Sequence, residues 1–262
     1  MVSLPSYFVG LDLGKRQDYS ALCVVEEPLW VPTDGAALRA FGSPGWNTAE
    51  EIDALPRGWQ APDALSVKAR IELRRENRRH GRPAQPPLSV RHLERFPLGT
   101  SYPTIVQRVA ALLRTPPLMG DAVLIVDGTG VGAAVVDDFR LALRSLVDVT
   151  ITGGTNVTRE PPDRYRVPKR DLVSALQSLL QGDRLKIARG LPEAPTLVNE
   201  LLNFQVTITE AANDRYEGRS GVHDDLVLAV AMPCWFRGWY NTHLDYANSP
   251  STTDGTKREN AR

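Results

Sequence analysis

At 262 residues, 42% of them hydrophobic, the chain can bury a sizeable core as one large domain or as one domain carrying an insertion. Its 31 Lys and Arg balance 31 Asp and Glu, so a nucleic-acid partner has to be met by a local basic patch, not by overall charge. Two cysteines in apolar contexts, Cys23 and Cys234, argue against a disulfide framework or a zinc site, and the lack of a signal-peptide pattern or a membrane-length apolar run predicts a cytoplasmic protein without membrane contact.

Residues 7–14, Tyr-Phe-Val-Gly-Leu-Asp-Leu-Gly, are expected to form a first strand with Asp12 near its end. A polar turn containing Asp18 and a return strand over 20–26 complete a hairpin. Asp12 has an ordinary role open to it as a turn former ahead of Gly14. It also follows the apolar Val9 and Leu11, where an unpaired carboxylate is costly unless it binds something.

Residues 28–87 break this periodicity with scattered proline, glycine and tryptophan, and are expected to be an insertion between two strands. Within it, residues 63–79 have helical spacing and the end is strongly basic: Lys68, Arg70, Arg74, Arg75, Arg78, Arg79 and Arg82 stand against Glu72 and Glu76. A solvated helix face is one explanation. A cluster this rich in arginine favours phosphate contact.

The sheet resumes with an alternating third strand at 88–96, followed by a helix over 102–114 spaced by Ile105, Val109, Leu112 and Leu113. The segment Val123-Leu-Ile-Val-Asp127 reads as a buried strand ending in an acid, and turns through Gly128, Gly130 and Gly132 into a helix over 133–143. Gly128-x-Gly130-x-x-Ala133, with Asp148 about 20 residues on, fits a loose dinucleotide fingerprint. Asp127, however, would put a carboxylate into the pyrophosphate site at the helix start, and the preceding chain is a hairpin where consecutive βα units are required. A glycine-relieved tight turn beside a metal-binding acid explains the same residues better.

A fifth strand is expected at 146–152, helices at 168–181 and 193–203, a strand-like segment at 204–209 and a polar loop at 210–221. Then Val222-His-Asp224-Asp225 opens an almost wholly apolar helix. Helix capping accounts for one of the two acids. Asp224 is the candidate cap and Asp225 the inward carboxylate, since helix neighbours point about 100° apart. The domain is expected to span residues 1–240, with a polar tail at 241–262.

In its order of elements the chain resembles the RNase H-like nuclease fold: a five-stranded mixed sheet whose first three strands are antiparallel, flanked by helices. More narrowly it resembles the nuclease domain of tailed-phage large terminase subunits. The matching residues are Gly10-Leu-Asp12-Leu-Gly14 with Asp18-Tyr-Ser-Ala, Val126-Asp127-Gly-Thr-Gly-Val-Gly132, Val167-Pro-Lys169 and His223-Asp224-Asp225, spread over residues 7–27 and 88–236. The resemblance implies cleavage of double-stranded DNA with Mg²⁺ or Mn²⁺. As a phage protein the chain would act in the host cell cytoplasm, with a packaging ATPase, small terminase subunit or portal as partners.

The chemistry of the residues agrees. Carboxylates from three separate elements can converge on hard divalent cations, and two ions about 3.5–4 Å apart activate water and stabilise a leaving phosphodiester oxygen. Asp12 is assigned as the bridging ligand, Asp127 and Asp225 to one ion each, Asp224 as an extra ligand and Asp18 as an outer one. Lys169 either neutralises phosphate beside the metals or is one more surface lysine; His223 either contacts substrate or water, or is an exposed histidine at a helix start. A second basic cluster, Arg159, Arg164, Arg166, Lys169 and Arg170, is a further DNA-binding candidate.

Large terminases normally carry an ATPase motor before the nuclease, and no G-x-x-x-x-G-K-[ST] loop occurs in this chain. The expectation is a nuclease subunit working with a separate motor, or a nuclease with another duty. A Holliday-junction resolvase, an actin-like nucleotide-binding protein and a catalytically silent DNA-binding module are the alternatives.

Overall fold

The computed structural model describes residues 7–14, 18–27, 87–130, 132–143, 145–208, 214–218 and 223–248. The basic stretch Lys68, Arg70, Arg74, Arg75, Arg78, Arg79 and Arg82 lies outside the described residues, with the expected helix over 63–79 and, apart from Pro87, the whole expected insertion.

Four long apolar segments form the centre of the sheet: β1 (Tyr7–Asp12), β2 (Ser20–Glu26), β3 (Leu88–Phe96) and β4 (Ala122–Asp127). After β3 comes α1 (Tyr102–Leu113), whose first turn is capped by the Ser101 side chain accepting from the Thr104 N–H. After β4 come α2 (Gly132–Ala142) and β5 (Leu146–Thr152), then the short β6 (Thr158–Glu160) and β7 (Arg164–Pro168). The remainder is α3 (Lys169–Gln181), β8 (Leu185–Ile187), α4 (Ala194–Asn203), β9 (Phe204–Ile208), β10 (Asp214–Gly218) and α5 (Asp225–Asn248).

All five expected strands form, and β1, β2 and β3 pair antiparallel as expected. They make the centre of a wider sheet of eight, ordered β6-β7-β5-β4-β1-β2-β3-β8. The three extra strands were illegible for physical reasons. β6 and β8 are three residues each, too short to show a period, and β7 interleaves Tyr165 and Val167 with two arginines. The expected polar loop at 210–221 needs correction: its residues 214–218 form β10, which pairs antiparallel with β9 in a separate two-stranded sheet. The sequence Asp-Arg-Tyr-Glu-Gly carries no apolar alternation that would announce a strand. α5 continues to Asn248, eight residues into the stretch expected as a polar tail.

Strand parity divides the core into two layers. Val9, Leu11, Leu124 and Val126 face one side, against Ile105 and Val109 of α1 and Val135, Val136 and Phe139 of α2. Phe8, Ala21, Cys23, Ile125 and Val149 face the other, against Leu172 and Leu176 of α3, Leu197 of α4 and the apolar run of α5. Both cysteines are free and buried in this second layer. Burial of Leu226, Val230 and Met232, at roughly 1.5–3 kcal/mol each, carries the acidic start of α5 down onto the sheet. Arg237 fixes the helix further along, its guanidinium forked onto Glu27 just beyond β2 at 3.1 and 2.9 Å.

Candidate metal centre

β1 and β4 are parallel neighbours, with Leu11 opposite Val126, so the next residue of each strand is an aspartate at the same edge of the sheet. By parity Asp12 shares its face with Phe8 and Gly10, and Asp127 shares its face with Val123 and Ile125. Those apolar residues belong to the layer under α5, so both acids turn toward the helix that begins at Asp225. This lies outside the carboxyl ends of parallel strands, where open α/β sheets assemble their sites.

Asp12 and Asp225 are buried. Burial pushes the Asp12 carboxyl well above the usual aspartate range, and the charges of Asp127, Asp225 and Asp224 push it further, with partial relief from Lys169. Asp127 is raised by burial too, against the Thr129 N–H, which donates to its Oδ1 at 2.8 Å. Asp225 is lifted to about 6, by burial first, while the charges of His223 and Arg95 hold it down. Three acids therefore interact through their charges across three separate elements.

The glycine-rich turn keeps the chain close around Asp127. Gly130 has φ +64°, a left-handed conformation that favours glycine, and a Cβ on Gly132 would collide with the Asp127 carbonyl. Asp148, the acid of the dinucleotide alternative, is buried behind Gly128 on the α2 side of the sheet, its Oδ2 accepting from Arg164 Nε at 2.9 Å.

The remaining candidates divide. The Lys169 Nζ donates to Asp224 Oδ2 at 2.7 Å, so the first residue of α3 meets the residue preceding α5. His223 is exposed, with Nδ1 3.7 Å from Asp225 Oδ2, and Asp18 is exposed but its charge is felt at Asp225. Arg166 is not brought to the acids: it alternates with the buried Tyr165 and Val167, on the opposite face of β7, and its nearest ion-pair partner is Glu160 at 3.9 Å. Arg170 is bonded to the Thr155 carbonyl at 2.7 Å.

The expectation that Asp224 caps α5 needs correction. Its side chain is committed to Lys169, and the N–H groups of Leu226 and Val227 in the first turn donate instead to Oε2 of Glu200 in α4, at 2.9 and 3.1 Å. Burial lifts Glu200 to about 7. The available signal was its place one turn after Leu197, on the buried stripe of α4. Arg95 was missed as well. Asp12 pairs with Ala21 and Ala21 with Arg95, which sets Arg95 two strands from Asp12 on the same face, its NH2 3.5 Å from Asp225 Oδ2.

Among the described residues, no group of three or more His, Cys, Asp or Glu side chains is closed up tightly enough to hold an ion. The donor set is nonetheless that of a hard divalent cation: all oxygen, anionic, and repelling where it is buried.

A mixed sheet with three antiparallel strands, two parallel strands following, and a closing helix is the RNase H-like fold, and here acids stand at the ends of β1 and β4 and at the start of that helix. The chain is similar to the solved structures of the large terminase nuclease from the thermophilic phage G20c with bound cobalt and with bound magnesium. Each is 19% identical, with a TM-score of 0.51, over 88% of this chain and 80% of that one. The chain has the fold of a terminase nuclease. No protein-family model and no curated protein sequence matches it.

Proposed function

We propose that the chain is a divalent-metal-dependent endonuclease that cleaves double-stranded DNA, the nuclease component of a phage DNA-packaging terminase acting in the host cytoplasm. The observation that carries this is the placement of Asp12 and Asp127 at the same end of two adjacent parallel strands, facing the helix that starts at Asp225, with the charges of Asp127 and Asp225 both felt at Asp12. Asp12, Asp127 and Asp225 would hold Mg²⁺ or Mn²⁺, Asp12 as the ligand shared by two ions, with Asp224 and Asp18 as additional ligands. Such ions, when bound, supply a hydroxide-like water and neutralise the leaving oxygen. Lys169 brings a cation to the same edge, braced by Asp224, and offsets the phosphate charge of an entering strand. In this reading Arg74, Arg75, Arg78, Arg79 and Arg82 grip the DNA backbone, and Arg166 and Arg170 would contact it away from the acids. A packaging ATPase, small terminase subunit or portal supplies the rest of the machine.

The test is nicking and linearisation of supercoiled plasmid by the purified chain with Mg²⁺, with Mn²⁺ and with EDTA. Cleavage in both metals and none in chelator is expected; undiminished cleavage in chelator removes the mechanism.

A further inference from the structure

Two arginines of the described residues fork the guanidinium onto one carboxylate, and others share it between two, as Arg164 does between Asp148 at 2.9 Å and Glu160 at 3.9 Å. Arg237 meets Glu27 at 3.1 and 2.9 Å, and Arg108 meets Glu94 at 3.1 Å through both Nε and NH2. Arg95 is built differently. Its side chain is 17% exposed, yet its carboxylate contacts are long, 3.5 Å to Asp225 and 4.0 Å to Glu200. Both exceed the roughly 2.7–2.9 Å of a charge-assisted hydrogen bond. What holds the guanidinium is a ring: its carbon lies 3.8 Å from the centroid of Tyr19, which is itself braced edge-on by His223 at 5.1 Å. Of five N–H donors, one makes a long hydrogen bond, and the buried Nε has no partner among the described residues. A buried donor left unsatisfied is costly.

We propose that Arg95, stacked on Tyr19, is a binding residue for a phosphate of the DNA backbone beside the cleaved bond. The inference rests on the nuclease function proposed above. The buried Nε is out of a ligand's reach, but NH1 makes no hydrogen bond among the described residues, and a terminal guanidinium edge with an unspent donor suits a phosphodiester oxygen. The Arg95 backbone lies two strands from Asp12, roughly 10 Å along one row of the sheet, and its guanidinium reaches the rim of the acidic site at Asp225, 3.5 Å away.

The test is binding of a labelled duplex by the full chain in chelator, so that no cleavage intervenes, across a salt series. Arg95→Ala should weaken binding about tenfold or more, tenfold being the lower end for one hydrogen bond to a charged group. It should also lower the slope of log K against log salt by about one, the counterions of a single phosphate. Arg95→Lys should keep the slope and lose affinity severalfold, because it keeps the charge without the fork. Tyr19→Leu should weaken binding less than Arg95→Ala. If Arg95→Ala does not fold, Arg95→Lys decides: wild-type affinity in that variant overturns the inference. Wild-type affinity and slope in Arg95→Ala, whether or not its Tm falls, overturn it too and leave the nuclease function standing. A wild-type chain that binds no duplex overturns both.

Discussion

Gly10 of β1 lies against the carbonyl oxygen of Ala229 in α5, and a Cβ at Gly10 would overlap both that oxygen and the ring of Pro233. Proline has no N–H, so Pro233 cannot bond the Ala229 carbonyl as residue i+4 of a helix ordinarily does. At this contact each element lacks a normal feature: no side chain on Gly10, no hydrogen bond from Pro233. That close approach sets the height of Asp225 above Asp12, two residues beyond Gly10.

Gly10→Ala should accordingly push α5 off the sheet. Overpacking of a filled core costs about 1–3 kcal/mol, and the substitution should lower Tm while reducing cleavage by more than the loss of folded protein explains. Circular dichroism melts beside plasmid cleavage measured well below the variant's Tm check this. A variant with unchanged Tm and rate would show that the helix has room to move.

The acids of the site were legible because each interrupts an apolar run: Asp12 and Asp127 end buried strands, and Asp225 opens a buried helix. Glu200 and Arg95 were not, because their significance depends on partners far along the chain. A glutamate in a helix and an arginine in an alternating strand look ordinary until α4 meets the start of α5 and β2 sets Ala21 between Asp12 and Arg95. The central hairpin was legible through local alternation. The outer strands β6, β7 and β8 were not, since β7 exists by pairing with β5, β6 with β7 and β8 with β3, and they carry too few apolar residues to signal it.

Glu200 caps α5 from another helix, so Glu200→Ala should leave the N–H groups of Leu226 and Val227 buried and unbonded. Loss of a cap costs about 0.5–2 kcal/mol, and Glu200→Gln, which retains an acceptor oxygen, should recover most of the stability. Urea melts of the two variants side by side measure the difference. Equal loss in both would assign the effect to charge, not to the cap.

Without metal, the site should make the protein less stable as pH rises. Glu200 is raised from 4.5 to about 7 and Asp225 from 3.8 to about 6, and Asp12 and Asp127 are raised as well. Between each unfolded and folded value the native state holds more protons than the unfolded state, so the stability slope with pH is negative there. This contribution is fully present below about pH 4 and is lost progressively toward pH 7. Tm in chelator should fall across that window, and Asp12→Asn should flatten the fall and raise Tm at about pH 8, above both of those folded values, while abolishing cleavage. A rising Tm over the same window would mean that neither burial nor repulsion raises these acids in the folded chain.

Divalent ions should reverse that trend, because binding to the native state alone stabilises it increasingly as ion concentration rises. Mn²⁺ should bind more tightly than Mg²⁺, and Ca²⁺ should bind and stabilise without supporting cleavage, since it prefers longer bonds and more ligands. Asp12→Asn, Asp127→Asn and Asp225→Asn should each lose most of the metal-dependent rise in Tm. Calorimetric titration with Mn²⁺ and thermal melts in each ion provide the check, and wild-type cleavage in two of the three variants would remove the acids from the mechanism.

The basic stretch at residues 68–82 separates grip from chemistry. If it follows the DNA backbone, it acts through phosphate charge and not through base edges. Replacing Arg74, Arg75, Arg78 and Arg79 with glutamate should then weaken binding to unrelated duplexes about equally. It should also flatten the dependence of log K on log salt by close to one for each phosphate no longer neutralised. Arg95→Ala, by contrast, should release about one phosphate only. Cleavage at saturating DNA should survive the four-residue reversal, because none of these arginines is proposed to touch the metal site. Filter binding across a salt series, paired with single-turnover cleavage at saturating duplex, distinguishes the two roles. Unchanged affinity and slope would make the stretch a solvated face or a protein-docking surface and shift the DNA path toward Arg159, Arg164, Arg166 and Arg170.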